Sequence, residues 1–468
     1  MVFNSTLFFI TLAPFLLFYF SGRTRRSAVK KTGLLIYSYF FYGMWNPVFL
    51  LLIMISTITD YLAALGIVAY PGRKKVFITG SLVINLGLLG FFKYYNFFAD
   101  TMALLLNSIG IEWSPSLTKI LLPVGISFYT FQTLSYTIEV YRGRISAENN
   151  LLDVAVFVAF FPQLVAGPIV RASDFLPQLV KEPPICQNKI ADGIFFILAG
   201  LFLKDVIADN IAPNVNYLFQ NWKSNAIMDN WIAGMLFGVQ IYGDFNGYSL
   251  IAIGLGRILG FDIQQNFDAP YGAAGFADFW RKWHISLSTW LRDYLYISLG
   301  GNRRGTARTY WNLMITMLIG GLWHGVNFMF IIWGGLHGVY LCGERLIRRV
   351  AHISFGNRAV QRMFLALGIV FTYLTVSITW IPFRAESAEQ GIEMMKGLFW
   401  GNFDFQNSCL FDCVIIVVVF LCQCVSRHYD FFVLVERNNT LRFTAVTVIL
   451  FCLYFFSGKR TDFIYFQF

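Results

Sequence analysis

Long apolar runs recur along the whole chain, and short polar or basic stretches separate them. A helix needs about 20 apolar residues to cross a bilayer, and several runs are long enough for two crossings or for a re-entrant turn. The pattern predicts an all-α, polytopic membrane protein with about eleven or twelve helices. The runs lie near residues 3–20, 33–70, 76–92, 118–138, 151–170, 190–211, 230–260, 311–343, 363–383, 410–425 and 440–457.

The composition agrees with this class. Hydrophobic residues make up 57% of the 468 residues and charged residues only 13%, whereas soluble domains carry roughly 25% charged residues. The polar intervals between the runs are too short to fold alone, so we expect one integral membrane domain over residues 1–468. The first run lacks the basic region and the cleavage site of a signal peptide, and it is predicted to be a retained membrane helix.

The net charge of +10 would be compatible with a nucleic-acid partner. The basic residues, however, form short clusters between apolar runs, which is the pattern of cytoplasmic loops in membrane proteins. The sequence therefore predicts contact with membrane lipid, no nucleic-acid partner, and a cytoplasmic location for the clusters. These clusters lie at residues 23–31, 73–75, 142–144, 303–308 and 345–349.

Several familiar chemical motifs are absent from the sequence. There is no phosphate-binding GxxxxGK[ST], no zinc-binding HExxH, no nucleophile elbow GxSxG and no HxxxxD acyltransferase motif. The seven cysteines are scattered, and no pair has metal-ligand spacing, so we interpret them as small core residues and expect no metal site. The run "FFPQLVAGPIVR" at 160–171 predicts either a kinked helix or a re-entrant element that lines a cavity.

Among the five histidines, His324 has the most informative surroundings. It lies midway between the basic clusters at 303–308 and 345–349. If both clusters are cytoplasmic, each limb of the intervening chain spans roughly 24 Å as helix, which is less than the ~30 Å hydrocarbon core. We therefore expect a hairpin that turns inside the membrane near His324, or one long tilted helix. Either arrangement buries an ionisable group, which in a membrane protein indicates a functional site, with helix packing as the alternative.

Two further histidines lie near this region, and two others do not. His337 would point about 220° away from His324 on a continuous helix, so a packing or surface role is preferred. His284 lies in "FWRKWHISLSTWLRDYLY" (279–296), where the spacing predicts one amphipathic helix. Its polar face is interpreted either as a lipid-phosphate contact or as the mouth of a cavity for an anionic substrate. His352 and His428 are expected at the solvated interface.

The long block "FWRKWHISLSTWLRDYLYISLGGNRRGTARTYWNLMITMLIGGLWHG" resembles the signature of the membrane-bound O-acyltransferases. It is most similar to the bacterial branch typified by the alginate O-acetylase membrane subunit. "MVFNSTLFF", "LLPVGISFYTFQTLSY", "FVAFFPQLVAGPIVR" and "QIYGDFNGYSLIAIGLG" extend the resemblance over most of the chain. One departure is Leu250, which stands where relatives commonly have an acidic residue.

The resemblance implies a bundle of tilted and re-entrant helices around a transmembrane tunnel, with the family core near residues 120–400. It matches the family's invariant histidine to His324 through "LWHG" and a second, more variable position to His284 through "WRKWH". His324 is implied as the general base and His284 as its assistant. No bound cofactor is expected. Acetyl-CoA is the implied acetyl donor, held through its phosphates by basic residues near the cytoplasmic entrance. These candidate donor-binding residues are Arg281, Lys282, Arg292, Arg303 and Arg304.

The resemblance also implies a place and a purpose. The protein would lie in a bacterial inner membrane and pass acetyl groups to periplasmic or membrane-anchored partner proteins. These partners would acetylate an exported polysaccharide, either alginate or the cellulose of a biofilm. D-alanyl transfer to teichoic acid and acetyl transfer to peptidoglycan are alternatives within the family. A transporter or flippase without chemistry is the alternative of another class, although no internal repeat supports it.

Overall fold

A computed structural model describes residues 2–21, 27–114, 119–165, 167–181, 186–350 and 357–466. These residues contain twenty α-helices and no strand, which confirms the all-α prediction. Arg23, Arg25, Arg26 and His352 of the predicted loops lie outside the described residues. The helices are α1 (Thr6–Phe20), α2 (Ser27–Gly43), α3 (Leu50–Ala69), α4 (Lys74–Ser108), α5 (Ile126–Tyr141), α6 (Leu151–Ala159), α7 (Phe161–Leu164), α8 (Ala172–Lys181), α9 (Gln187–Leu201), α10 (Asp209–Gln220), α11 (Ile227–Ile258), α12 (Phe276–Lys282), α13 (Ile285–Trp290), α14 (Thr306–His324), α15 (Phe328–Val350), α16 (Arg358–Arg384), α17 (Ala388–Lys396), α18 (Leu410–Ser426), α19 (Phe431–Arg437) and α20 (Asn439–Phe456).

Among the described residues, four helical segments are long and apolar enough to cross a membrane: Pro47–Ala69, Pro71–Ser108, Arg358–Arg384 and Asn439–Phe456. The pair α18 and α19, bent by 65°, would be a fifth. The described residues thus contain fewer unbroken spans than the eleven or twelve expected. The difference arises because apolar runs are divided into shorter helices or carry polar residues. The first run is one such case, since α1 has only 15 residues.

The chain forms two compact units. The first comprises Met1–Ile197 and Tyr248–Gln264, and the second comprises Leu198–Gly247 and Gln265–Phe468. This grouping does not test the prediction of one integral domain, which stays a prediction.

In the first unit, the apolar run at 151–170 is not a kinked continuous helix. Helix α6 ends at Ala159, and the four-residue helix α7 follows it with Pro162 in its first turn. Side chains satisfy the freed backbone groups: the Gln163 amide donates to the Phe157 carbonyl at 3.0 Å, and the Phe161 N–H donates to the Ser38 hydroxyl at 3.2 Å. Broken backbone inside a membrane requires such protein partners.

In the second unit, α14 and α15 form the hairpin that was expected around His324. The chain turns at residues 325–327, and two glycines bring the limbs into backbone contact. A Cβ on Gly321 would lie 2.2 Å from the Phe330 carbonyl oxygen, and one on Gly334 would lie 2.3 Å from that of Met317. Gly321 and Gly334 therefore allow the close packing of α14 against α15.

The prediction that the cysteines are core residues is wrong. All seven are free thiols, but Cys186, Cys409 and Cys422 are exposed and the other four are partly exposed. The described residues contain no group of three or more His, Cys, Asp or Glu side chains that could hold a metal ion.

The basic loops give a direct test of orientation. Gly72 lies beside the basic cluster at 73–75, Ala307 lies in the first turn of α14 within the cluster at 303–308, and both are exposed. In a background without native cysteines, Gly72→Cys and Ala307→Cys should not react with an impermeant maleimide added outside the cell, because positive clusters stay in the cytoplasm. Both should react after the membrane is permeabilised. Efficient outside labelling of Ala307→Cys would place the 303–308 loop on the wrong side for a cytoplasmic donor.

Candidate functional site

His324 lies at the last position of α14, where the hairpin turns. Its side chain is almost fully buried, with 4% of its surface exposed. Aromatic rings surround it: the ring centroids of Trp323 and Trp333 each lie 5.0 Å away, and that of Phe383 lies 5.2 Å away. The hairpin thus holds an ionisable group in an apolar, aromatic environment, as the sequence predicted.

His284 is not on the polar face of one amphipathic helix, and that prediction is wrong. Helix α12 ends at Lys282, α13 begins at Ile285, and His284 lies between them in the left-handed conformation with φ of 43°. This conformation costs a residue with a Cβ about 1–2 kcal/mol, and residues held in it are concentrated at functional sites. The break turns the His284 side chain into the interior, where none of its surface is exposed.

Asn266 fixes the orientation of the His284 ring. Its Oδ1 accepts hydrogen bonds from the Ser286 backbone N–H at 3.2 Å and from the Ser286 hydroxyl at 2.9 Å. The same oxygen lies 3.2 Å from His284 Nδ1. Because a backbone N–H can only donate, Oδ1 is an acceptor and His284 Nδ1 carries the proton. The basic lone pair of neutral His284 therefore belongs to Nε2, so Asn266 sets the tautomer as well as the orientation.

The two histidines and Tyr465 lie together. The ring centroids of His284 and His324 are 6.5 Å apart, and the Tyr465 ring lies 5.8 Å from His324 and 6.5 Å from His284. Phe245 packs on both His284 and Tyr465, at 4.6 Å and 4.5 Å. We call His284, His324, Tyr465 and the aromatic rings around them the histidine site. Sequence reasoning missed Asn266 and Tyr465, because neither lies in the long signature block.

His337 has the packing role that the sequence favoured. The Trp280 indole N–H donates to His337 Nδ1 at 3.3 Å, so the other ring nitrogen carries the proton. His337 Nε2 lies 3.1 Å from the Thr379 hydroxyl, which donates onward to the Val376 carbonyl at 2.6 Å. Both ring nitrogens therefore have partners. This histidine joins α12, α15 and α16 and is not poised to react.

The predicted donor-binding cations do not form one polar face, because the helix that would have aligned them is broken. Lys282 pairs with Asp268 at 3.1 Å and Arg292 pairs with Asp293 at 2.7 Å. The hydrogen bond to Asp293 raises the pKa of the Arg292 guanidinium. Arg281, at the end of α12, is exposed and donates to the Ala277 carbonyl. Arg303 and Arg304 are exposed in the loop before α14.

Comparison with known proteins gives a consistent family. The model of the membrane-bound O-acyltransferase family matches residues 144–381. A protein named probable alginate O-acetylase from Pseudomonas aeruginosa is 44% identical over 404 residues, which cover 85% of this chain and 75% of that relative. A peptidoglycan O-acetyltransferase from Helicobacter pylori is 35% identical over 431 residues, covering 85% of this chain and 80% of its own.

A more distant relative has another substrate in its name. The teichoic acid D-alanyltransferase of Streptococcus thermophilus is 27% identical over 286 residues, which cover 56% of this chain and 68% of that protein. Both residues matched to the family signature, His284 and His324, lie within the segment that the family model covers. The chain is therefore a multi-pass membrane protein and an O-acyltransferase, and it belongs to the membrane-bound O-acyltransferase family.

Proposed function

We propose that this protein transfers acetyl groups from cytoplasmic acetyl-CoA across the inner membrane for O-acetylation of an exported polysaccharide. The observation that carries the proposal is the pairing of His284 and His324 in one buried, aromatic site. Two relatives that match 85% of this chain are named as O-acetylating enzymes of alginate and of peptidoglycan, and their names support acetyl transfer to a polymer over D-alanyl transfer.

In the proposed mechanism, His324 is the general base. A neutral imidazole at His324 takes the proton of the acceptor hydroxyl while the hydroxyl oxygen attacks the thioester carbonyl carbon. The carbon–sulfur bond then breaks, and the proton passes from His324 to the departing thiolate. The apolar rings around His324 exclude water, which limits hydrolysis of the thioester.

His284 assists from within the same site. Because Asn266 holds its Nδ1 proton, His284 presents Nε2 as an acceptor. Such a group orients a hydroxyl or shares the proton that His324 removes. Tyr465 places a phenol ring beside the His284 and His324 rings.

The donor enters from the cytoplasmic side in this proposal. Coenzyme A carries several phosphate charges, and exposed guanidinium groups bind phosphate through paired hydrogen bonds. Arg281, Arg303 and Arg304 are the better placed candidates, since their guanidinium groups are exposed. Lys282 and Arg292 already pair with Asp268 and Asp293, which lowers their attraction for a phosphate.

The acceptor is proposed to be alginate or cellulose, reached through periplasmic or membrane-anchored partner proteins. The test is to express the protein in a bacterium that exports the polymer but lacks its own acetylase. Acetyl content of the purified polymer is then measured. Acetylation of alginate or of cellulose identifies the acceptor, whereas acetylation of peptidoglycan or D-alanylation would replace this proposal with an alternative of the same family.

The donor entrance makes its own prediction. Arg281→Gln should raise the apparent KM for acetyl-CoA about ten- to a hundredfold, because a hydrogen bond to a charged group contributes ~1.5–3 kcal/mol. Membrane abundance should not change, since the Arg281 side chain is exposed. Arg362→Gln, the same substitution at an exposed position on α16, is the matched control. A KM that is unchanged in Arg281→Gln would return Arg281 to a lipid-facing role.

A further inference from the structure

Three charged side chains are buried together in the second unit. Lys204 Nζ lies 2.7 Å from a carboxylate oxygen of Asp209 and 2.7 Å from one of Asp244, and at most 3% of any of the three side chains is exposed. We call these residues the ion cluster. Removing these charges from water costs free energy of folding, and apolar side chains in their place would often give a protein of equal stability. Stability alone therefore does not account for the cluster.

The local backbone is built to bring the ion cluster together. Lys204 lies in a π-helical turn, Phe202–Ala208, and such turns are frequent at functional sites. Two glycines of α11 let this turn approach closely. A Cβ on Gly243 would lie 3.0 Å from the Leu203 carbonyl oxygen, and one on Gly247 would lie 3.1 Å from the Lys204 backbone nitrogen.

The ion cluster is also bonded to the segment 457–465. Lys204 Nζ donates to the Thr461 carbonyl at 3.1 Å and to its hydroxyl at 3.3 Å. The Thr461 hydroxyl donates to Asp209 at 2.5 Å, and the Ile464 backbone N–H donates to Asp244 at 2.6 Å. Each of the three charged residues therefore has at least one hydrogen bond to this segment.

The segment leads directly to the histidine site. Ile464, which is bonded to Asp244, precedes Tyr465, and Phe463 stacks on the Tyr465 ring at 5.6 Å. Phe463 is 1% exposed and Ile464 is 3% exposed, so the segment is buried where it bonds to the cluster. The chain thus runs from the ion cluster to the rings of His284 and His324 within a few residues.

We propose that the ion cluster positions Tyr465 in the histidine site. Lys204, Asp209 and Asp244 are positioning residues: they touch neither histidine ring and act through the segment 457–465. This inference rests on the proposed function, because it assigns the cluster a purpose in acyl transfer. This role would explain why three charged side chains are buried where apolar side chains would have a smaller desolvation cost.

The experiment compares two variants that loosen the segment from opposite sides. Lys204→Met removes the central cation, whereas Thr461→Val removes one hydroxyl and leaves both ion pairs intact. Chymotrypsin cleavage after Phe463 is followed by mass spectrometry in detergent-solubilised protein, and acetyl transfer is measured per folded molecule. Lys189→Met, which breaks the surface pair with Asp262, is the control.

We expect faster cleavage after Phe463 in both variants, with acetyl transfer about ten- to a hundredfold lower in Lys204→Met and less reduced in Thr461→Val. Lys189→Met should match the wild type in both measurements. The proposal is overturned if Phe463 stays protected in Lys204→Met, or if it becomes accessible without loss of transfer. Should Lys204→Met fail to accumulate, wild-type protection and activity in Thr461→Val would overturn it. The cleavage assay needs no activity, so it judges the anchoring even if the wild-type protein transfers no acetyl group.

Discussion

His324→Ala should reduce acetylation of the exported polymer to near background. The substitution removes the proposed general base, and a positioned base contributes about 10²–10⁴-fold to rate. His324 lies at the end of α14 beside the turn, so its loss removes one side chain from the hairpin without breaking a helix. The variant should therefore insert and accumulate. Acetyl content of the polymer and membrane abundance of the protein are measured in the same cells.

Two other histidines separate catalysis from folding. His428→Ala changes an exposed histidine and should retain full acetylation. His337→Ala, by contrast, leaves Trp280 and Thr379 without their buried partner, at a cost of about 1–3 kcal/mol. It should lower abundance more than activity per molecule. His284→Ala should fall between wild type and His324→Ala, since an orienting group contributes less than the base. Near-wild-type acetylation by well-expressed His324→Ala would show that His324 is not the base.

Gly334→Ala should sharply reduce the amount of folded protein. The added Cβ would lie 2.3 Å from the Met317 carbonyl oxygen, and the neighbouring atom at 3.3 Å is the Gly321 Cα. Backbone atoms cannot move aside as a flexible side chain does, so the two limbs of the hairpin must separate. Overpacking of this kind typically costs about 1–3 kcal/mol, which lowers the ratio of folded to unfolded protein roughly 5- to 150-fold. Membrane abundance after a fixed expression time measures the effect.

The adjacent residue provides the control for this packing prediction. A Cβ on Gly335 would meet only Leu318 Cδ2, at 3.6 Å, which is ordinary contact distance. Gly335→Ala should therefore accumulate like the wild type, although it makes the same chemical change one position further along α15. Equal abundance of the Gly334→Ala and Gly335→Ala proteins would mean that the limbs do not pack as closely as the structure has them.

The sequence predicted what depends on local pattern. Runs of apolar residues identified a multi-pass, all-α membrane protein. The distance between basic clusters predicted either a hairpin with His324 near its turn or one long tilted helix, because helix length and membrane thickness restrict the possible paths. The signature block added the family and the second histidine, His284.

What the sequence did not predict depends on backbone conformation and on distant contacts. The spacing at 279–296 suits one amphipathic helix, but the left-handed residue His284 interrupts that helix, and its side chain is buried in the interior. No periodicity signals such a break. Asn266 and Tyr465 reach His284 and His324 only through tertiary folding, and neither lies in a motif that spacing could identify.

The same break changes the arrangement of the candidate donor-binding residues, whose role in binding the donor stays a prediction. A regular helix would have aligned Arg281, His284 and Arg292, whereas the observed break buries His284 and leaves Arg281 exposed. Pattern analysis also could not identify Asp268 as the partner of Lys282, because Asp268 lies outside the signature block. The sequence therefore shows which residues are charged, but not which of them remain available to bind an anion.

The most direct test of the central claim is acetyl transfer by the purified protein. Wild-type and His324→Ala proteins are reconstituted in lipid nanodiscs with acetyl-CoA that carries a radiolabelled acetyl group, and the acetyl label that leaves coenzyme A is measured over time. The account predicts that the wild type releases the label from acetyl-CoA, quickly to an added hydroxyl acceptor and more slowly to water, and that His324→Ala does so about 10²–10⁴-fold more slowly. Equal rates for the two proteins, or no release by a wild-type protein that acetylates polymer in cells, would contradict acyl transfer from acetyl-CoA at His324.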